Sequence, residues 1–179
     1  DDFKNVERAF EKIKSENKAR YCGISIGNQY EKGIELIERG LVDTLQIYFS
    51  LFDFNASKKL FQIAKKHSVG LIAAEPLAQG FLTGKYQKQT TFPKNDLRIR
   101  FTSDEIKTKV ERANEFQVLV NNDRTMNQIA LLYILNYDEI STCIPGAKSV
   151  EQLKSNLASI EKELSSNELE RIKEIQQNW

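Results

Sequence analysis

Two stretches of the chain carry residue types at spacings that could do chemistry. The first is Ile144-Pro145-Gly146-Ala147-Lys148-Ser149, continuing through Val150 to Asn156. A glycine-containing turn leading straight into a helix N-terminus aims backbone N–H groups and the positive end of the helix dipole at one point, which makes an anion site. Lys148 adds a positive charge there, and Ser149 with Gln152 has the spacing of a capping box. Read for local structure alone, the same residues make a well-capped helix. The second stretch is Gly70 to Tyr86, where a short apolar strand runs into Glu75-Pro76-Leu77-Ala78-Gln79-Gly80-Phe81-Leu82-Thr83-Gly84-Lys85-Tyr86. Strand-end loops host function in barrels; the plainer alternative is a strand, a turn and a loop with two flexible glycines.

Other reactive side chains are few. Cys22 and Cys143 sit in apolar, strand-like segments, neither belongs to a CxxC pair, and the single histidine, His67, cannot complete a zinc cluster. Both thiols read as reduced core residues of a cytoplasmic protein. His67 follows Lys65 and Lys66 in a solvated helix end, where cations suit the dipole; in a barrel that junction lies on the stability face. Glu75 follows an apolar strand and could face a substrate or a cation of the loop. A solvated turn residue is the plainer reading, because Glu is rarely buried without a partner.

Alternating helical and strand patterns must position these residues. Phe3, Val6, Ala9, Phe10 and Ile13 recur at helical spacing, and Arg20–Ser25 reads as a strand. Tyr30 to Gly40 is an amphipathic helix closed by glycine, and Thr44–Phe49 is the next strand. Asn55 is expected to cap a helix through Lys66, and Gly70–Ala74 is the third strand. From Gly80 to Thr102 the sequence is polar and punctuated by Gly and Pro, long enough to be a functional or mobile loop. Helices follow over about 103–120 and 125–136, then a strand over 140–144, a helix over 149–160 and a last helix from Asn167. This divides the chain into strand–helix units (1–69), a loop (70–102), helices with the last strand (103–148) and C-terminal helices (149–179).

Four strand–helix units call for a parallel sheet, since parallel neighbours need helical crossovers. A (β/α) barrel or a doubly wound sheet fits. A complete (β/α)8 barrel takes about 250 residues, whereas this chain has 179 and about half the strands. An isolated half exposes two parallel edges and part of a core, so a partner is expected.

The string Pro76 to Tyr86 resembles the segment after the seventh strand of aldo-keto reductases, and Ile144 to Asn156 resembles the segment after strand eight. Arg20-Tyr21-Cys22-Gly23-Ile24-Ser25 is similar to the end of strand five, and Asp43 to Asp53 to strand six. All four occur in the family's order. The resemblance implies an α/β fold of (β/α)8 TIM-barrel type, with this chain covering about the C-terminal half. It also implies a nicotinamide dinucleotide, NADP(H) favoured by Lys148 and NAD(H) possible. Ser25 and Gln46 would hold the nicotinamide carboxamide, fixing which ring face offers hydride. Gly80, Leu82 and Lys85, with Pro76, Leu77 and Gly84 in the same loop, would follow the pyrophosphate. Ala147, Lys148 and Gln152 would lie around the adenosine phosphate, with Gly146 in the same cofactor-binding turn, and Asn156 would bond the adenine.

The sequence departs from the family in three ways. Ile26 stands where an Asn is usual, a lost hydrogen bond of about 0.5–1.5 kcal/mol. Ala74 replaces an aromatic that stacks on nicotinamide, roughly another 0.5–1.5 kcal/mol. The Asp, Tyr, Lys and His tetrad of the family has no counterpart, so no catalytic residue and no metal ligand is assigned. The chain opens on Asp1 rather than Met, as expected of a piece of something longer.

The leading expectation is an NAD(P)H-dependent oxidoreductase acting on a carbonyl/alcohol pair. This chain would supply the cofactor half, and a complementary N-terminal half-barrel or a homo-oligomer would complete it. The alternatives are a non-catalytic nicotinamide-binding regulatory subunit and a truncated half-barrel. A formal charge of +1 gives no footprint for nucleic acid, and no apolar run reaches the length of a membrane span. The substrate, a small carbonyl compound, is not specified by these residues.

Overall fold

Four short runs form the strands β1 (Gly23–Gly27), β2 (Thr44–Tyr48), β3 (Gly70–Ala74) and β4 (Ile140–Cys143), β1 and β2 alternating between apolar and other residues and β3 continuously apolar from Leu71. They make one parallel sheet in the order β1-β2-β3-β4. The computed structural model describes residues 3–179; the acidic opening residues Asp1 and Asp2 lie outside them. The helices are α1 (Phe3–Ser15), α2 (Tyr30–Glu38), α3 (Leu60–Lys66), α4 (Ser103–Glu115), α5 (Met126–Leu135), α6 (Val150–Leu157) and α7 (Ser166–Gln177).

Alternation along the strands separates two faces. Leu45, Ile47, Leu71 and Ala73 are wholly buried against Ile37 of α2, Phe61 and Ala64 of α3, and Ile129 and Tyr133 of α5. Phe49, just past β2, centres an aromatic cluster, 4.9 Å from Phe61, 5.7 Å from Tyr133 and 5.1 Å from Tyr137. α7 closes over the end of β2, where Gln176 Nε2 donates to the Leu51 carbonyl at 3.0 Å. The opposite face carries Ser25, Gln46, Tyr48 and Thr142, all exposed or half-buried. Parallel sheets are ordinarily covered on both faces, so the second face is open as it would be in part of a barrel.

Several boundaries differ from those read in the sequence. β1 starts at Gly23, not Arg20, and its register shifts between Ser25 and Gly27, with Ile26 in the core on the same side as Ile24. A Cβ on Gly33 would lie 2.4 Å from Ile26 Cδ1, so α2 approaches β1 closely only because this residue is glycine. Asn55 caps nothing: it opens a 3-10 turn through Lys58, and the chain leaves helical geometry at Lys59 (φ −138°) before α3 begins. The helix from 103 tightens into a 3-10 turn at Phe116–Leu119. The helix from 149 stops at Leu157, and α7 starts at Ser166 behind a capping box of Ser165 and Glu168. Gly40 ends α2 as expected, at φ +68° one residue past the C-cap.

Candidate functional site

Beyond β3 the backbone turns sharply. Glu75, Ala78 and Gln79 all adopt left-handed φ values (53°, 46° and 58°), followed by Gly80 at 92°. Such values cost L-residues roughly 1–2 kcal/mol each, and strain of this kind clusters at functional sites. Neighbouring bonds hold the turn. Ala78 N–H donates to the Glu75 carbonyl and Gly80 N–H to that of Leu77, each at 2.8 Å. The Gln79 amide nitrogen donates to both Glu75 carboxylate oxygens at 3.0 Å. Phe81 and Leu82 anchor the far side in the core. Gln79 Oε1 is buried without a partner.

The loop that follows is folded, not open coil. Phe81 packs with Tyr86, Phe92 and Phe101 against Ile106 and Val110 of α4. Arg98 ties this loop down through Asp96 at 2.5 Å, the Gln79 carbonyl at 3.1 Å and the Tyr86 hydroxyl, with its guanidinium 4.5 Å from the Phe92 ring. The hydrogen bonds from Arg98 hold the Asp96 carboxyl far below the usual carboxylate range, and the charge of Lys148 adds to the effect.

Beyond β4, Ser149 caps α6 by accepting from Gln152 N–H at 3.3 Å. The reciprocal half of the expected capping box does not form on Ser149. Gln152 Oε1 reaches one residue further and accepts from Lys148 N–H at 2.7 Å, because the extended Ser149 (φ −146°) presents Lys148 to it. That bond orders the turn. The start of α6 is positioned by α5: Asn127 Nδ2 donates to Ser155 Oγ at 3.1 Å and to Asn156 Oδ1 at 3.2 Å.

These two strand ends face one groove of about 680 Å3. Of the residues read from the sequence, Pro76, Leu77, Gly80 and Lys85 line it from the first segment, and Gly146, Ala147, Lys148, Gln152 and Asn156 from the second. Asn156 is buried there, 8% exposed. Four others do not line it. Leu82 is wholly buried beneath the turn, and Gly84 closes the turn at φ +74°. Ser25 and Gln46 stand on the open sheet face, joined by a 3.0 Å bond from Gln46 Nε2 to Ser25 Oγ. Arg98, Asn127 and Ser155, which the sequence reading missed, also line the groove. The Asp96-x-Arg98 pair, set among loop aromatics, was the available signal for the first of them.

Other candidates resolve simply. Glu75 is exposed and bonded only within its own turn, and His67 is the C-cap residue of α3. Cys22 is buried, and burial pushes the half-buried Cys143 thiol up. No cluster suited to a metal ion occurs among the described residues.

A parallel sheet with helices on one face and a cationic groove beyond its strands' C-terminal ends has the arrangement of part of a (β/α) barrel. The chain belongs to the aldo/keto reductase family of oxidoreductases, whose family model matches residues 2–177. It is 25% identical to aldo-keto reductase yakc [NADP(+)] of Schizosaccharomyces pombe, over 98% of this chain and 54% of that protein. It is 30% identical to the uncharacterized oxidoreductase YqkF of Bacillus subtilis, over 88% of this chain and 50% of that protein. Among solved structures, an apo aldo-keto reductase of Bacillus halodurans aligns with TM-score 0.73 and 24% identity, over 98% of this chain and 57% of its own. The glycerol dehydrogenase of Gluconobacter oxydans aligns with TM-score 0.76 and 24% identity, over 95% and 52%. The chain thus spans about half the length of the relatives it matches. No described helix is long and apolar enough to cross a membrane.

Proposed function

We propose that this chain is the cofactor-binding, C-terminal half of an aldo-keto reductase barrel that interconverts a carbonyl and an alcohol with NADP(H). One observation carries the reading: segments 75–85 and 144–156, distant in sequence, meet in one groove. The residues fit a dinucleotide. Lys85, Arg98 and Lys148 supply positive charge, α6 presents its N-terminus, and a Cβ on Gly146 would meet nothing within 4 Å, so backbone there is approachable.

The bound dinucleotide supplies or takes the hydride. The chain's own work is to hold and orient it. Lys148 favours a 2′-phosphate, and the yakc relative's name carries NADP(+); NAD(H) is the weaker ligand in this reading. Ser25 and Gln46, prebonded on the open face, fix the carboxamide. Leu82 and Gly84 act from behind the groove by shaping its turn. Ile26 points into the core, so it removes a bond without crowding the ring. The proton donor comes from a complementary N-terminal half seated on the open sheet face. The chain's four sequence segments, 1–69, 70–102, 103–148 and 149–179, serve as barrel units, cofactor loop, last strand and closing helices. Two unpaired thiols accord with a cytoplasmic setting.

The test is a fluorescence titration of the chain with NADPH and NADH, followed by a carbonyl reduction assay with and without a relative's N-terminal half. Saturable NADPH binding with turnover only after complementation is expected. Binding without turnover in the complemented barrel would identify a regulatory nicotinamide subunit, and no binding of either dinucleotide would refute the reading.

A further inference from the structure

A second cavity of about 770 Å3 lies across the Glu75–Gln79 turn from the groove, at the C-terminal ends of β1, β2 and β3, with α4 as its outer wall. Glu105, Thr108, Lys109 and Arg112 of α4 line it. Their i, i+3, i+4, i+7 spacing places them on one helix face, while Ile106, Val110 and Ala113 take the buried one. A polar stripe usually faces bulk water; this one walls a cavity.

Its two cations are partly buried and have no carboxylate within ion-pair distance among the described residues. Aromatic rings hold them instead. Lys109 Nζ lies 4.9 Å from the Phe101 ring and 5.7 Å from that of Phe81, and the Arg112 guanidinium lies 4.7 Å from Trp179. A ring face fixes the charge but leaves the N–H donors without an oxygen acceptor. Three of the cavity's four carboxylates are already engaged. Asp53 accepts from the Tyr30 hydroxyl at 2.6 Å, Glu75 from Gln79 at 3.0 Å and Glu105 from Thr102 N–H at 2.8 Å, while Asp104 stands exposed in the first turn of α4. Free donors beside acceptors that are mostly committed, with Asp104 turned to solvent, call for a ligand that brings its own negative oxygens. Tyr48, which also lines the cavity, is two residues past Gln46 on the same face of β2, so the cavity adjoins the open face.

We propose that Lys109 and Arg112 bind the anionic group, carboxylate or phosphate monoester, of an aldehyde or ketone substrate. The substrate's identity as a carbonyl compound rests on the reductase reading; the anion rests on this cavity alone. The test uses three ring-matched aldehydes, 4-carboxybenzaldehyde, 4-formylphenyl phosphate and uncharged 4-(hydroxymethyl)benzaldehyde, with binding followed by NMR line broadening. At least one anionic probe is expected to bind about tenfold tighter than the neutral one, and which one does identifies the group. K109Q/R112Q should erase the preference. K109R/R112K, which keeps both charges, and K107Q, on the exposed face of the same helix, should retain it. Equal binding of all three probes by the native chain, or a preference that survives in folded K109Q/R112Q, would overturn the proposal. Parallel NADPH titration separates the two readings: lost NADPH binding with the anion preference intact refutes the reductase and leaves the anion site standing.

Discussion

Lys148 and Tyr30 show how far single side chains can be argued. Lys148 lines the groove beside the turn that Gln152 orders. A charge-assisted bond to a phosphate is worth about 1.5–3 kcal/mol. K148A should therefore weaken NADPH by at least about tenfold and NADH much less, as read by fluorescence titration. Tyr30 donates to Asp53, whose pKa burial raises above the ordinary value, with the charge of Glu75 adding and the Tyr30 hydrogen bond opposing. An acid with a raised folded pKa favours the folded state while protonated, and that contribution is lost as pH rises through the folded pKa. Removing the opposing bond enlarges this loss. The melting temperature of Y30F should thus fall further below the wild type at pH 7 than at pH 4, in paired thermal melts.

At the scale of elements, the loop between Gly80 and Thr102 matters most. Its length and polarity announced a functional or mobile segment, yet it has a satellite core of Phe81, Tyr86, Phe92 and Phe101 and a central arginine. The aromatics are scattered at no regular period, so pattern reading could not see them converge. R98A removes the bonds to Asp96, Gln79 and Tyr86 together. Cleavage by a protease within residues 84–102 is expected to accelerate by roughly tenfold or more while the far-UV spectrum stays native, since local opening follows local stability. Unchanged cleavage would mean that the aromatic cluster alone holds the loop.

For the whole molecule, the decisive feature is what lies uncovered. Among the described residues one sheet face is open and β1 and β4 each pair on one side only, and Val150, Leu153, Leu157 and Ile160 form an exposed stripe along α6 and just beyond it, 51–67% exposed. Apolar surface of this kind marks an interaction site or an aggregation hazard. L153E/L157K should reduce self-association in sedimentation velocity. Its melting temperature should stay within about 2 °C of the wild type, because surface substitutions outside packed contacts change stability by about 0.5 kcal/mol or less.

The sequence by itself determined the local elements. β-branched runs, glycine stops and capping boxes act over a few residues, so the four strands, the glycine end of α2 and the helix start at Ser149 were all legible. Nine of the groove-lining residues were legible too, because Pro76 to Tyr86 and Ile144 to Asn156 are long distinctive strings, whereas Arg98 and Asn127 lie outside them. Tertiary structure decided what depends on distant approach. It paired Ser25 with Gln46 across two strands, packed Ile26 against Gly33 of α2 and moved Gln152 from Ser149 to Lys148. It also set a charged stripe of α4 against a cavity rather than water. Those outcomes depend on which surfaces meet, and no local spacing encodes that.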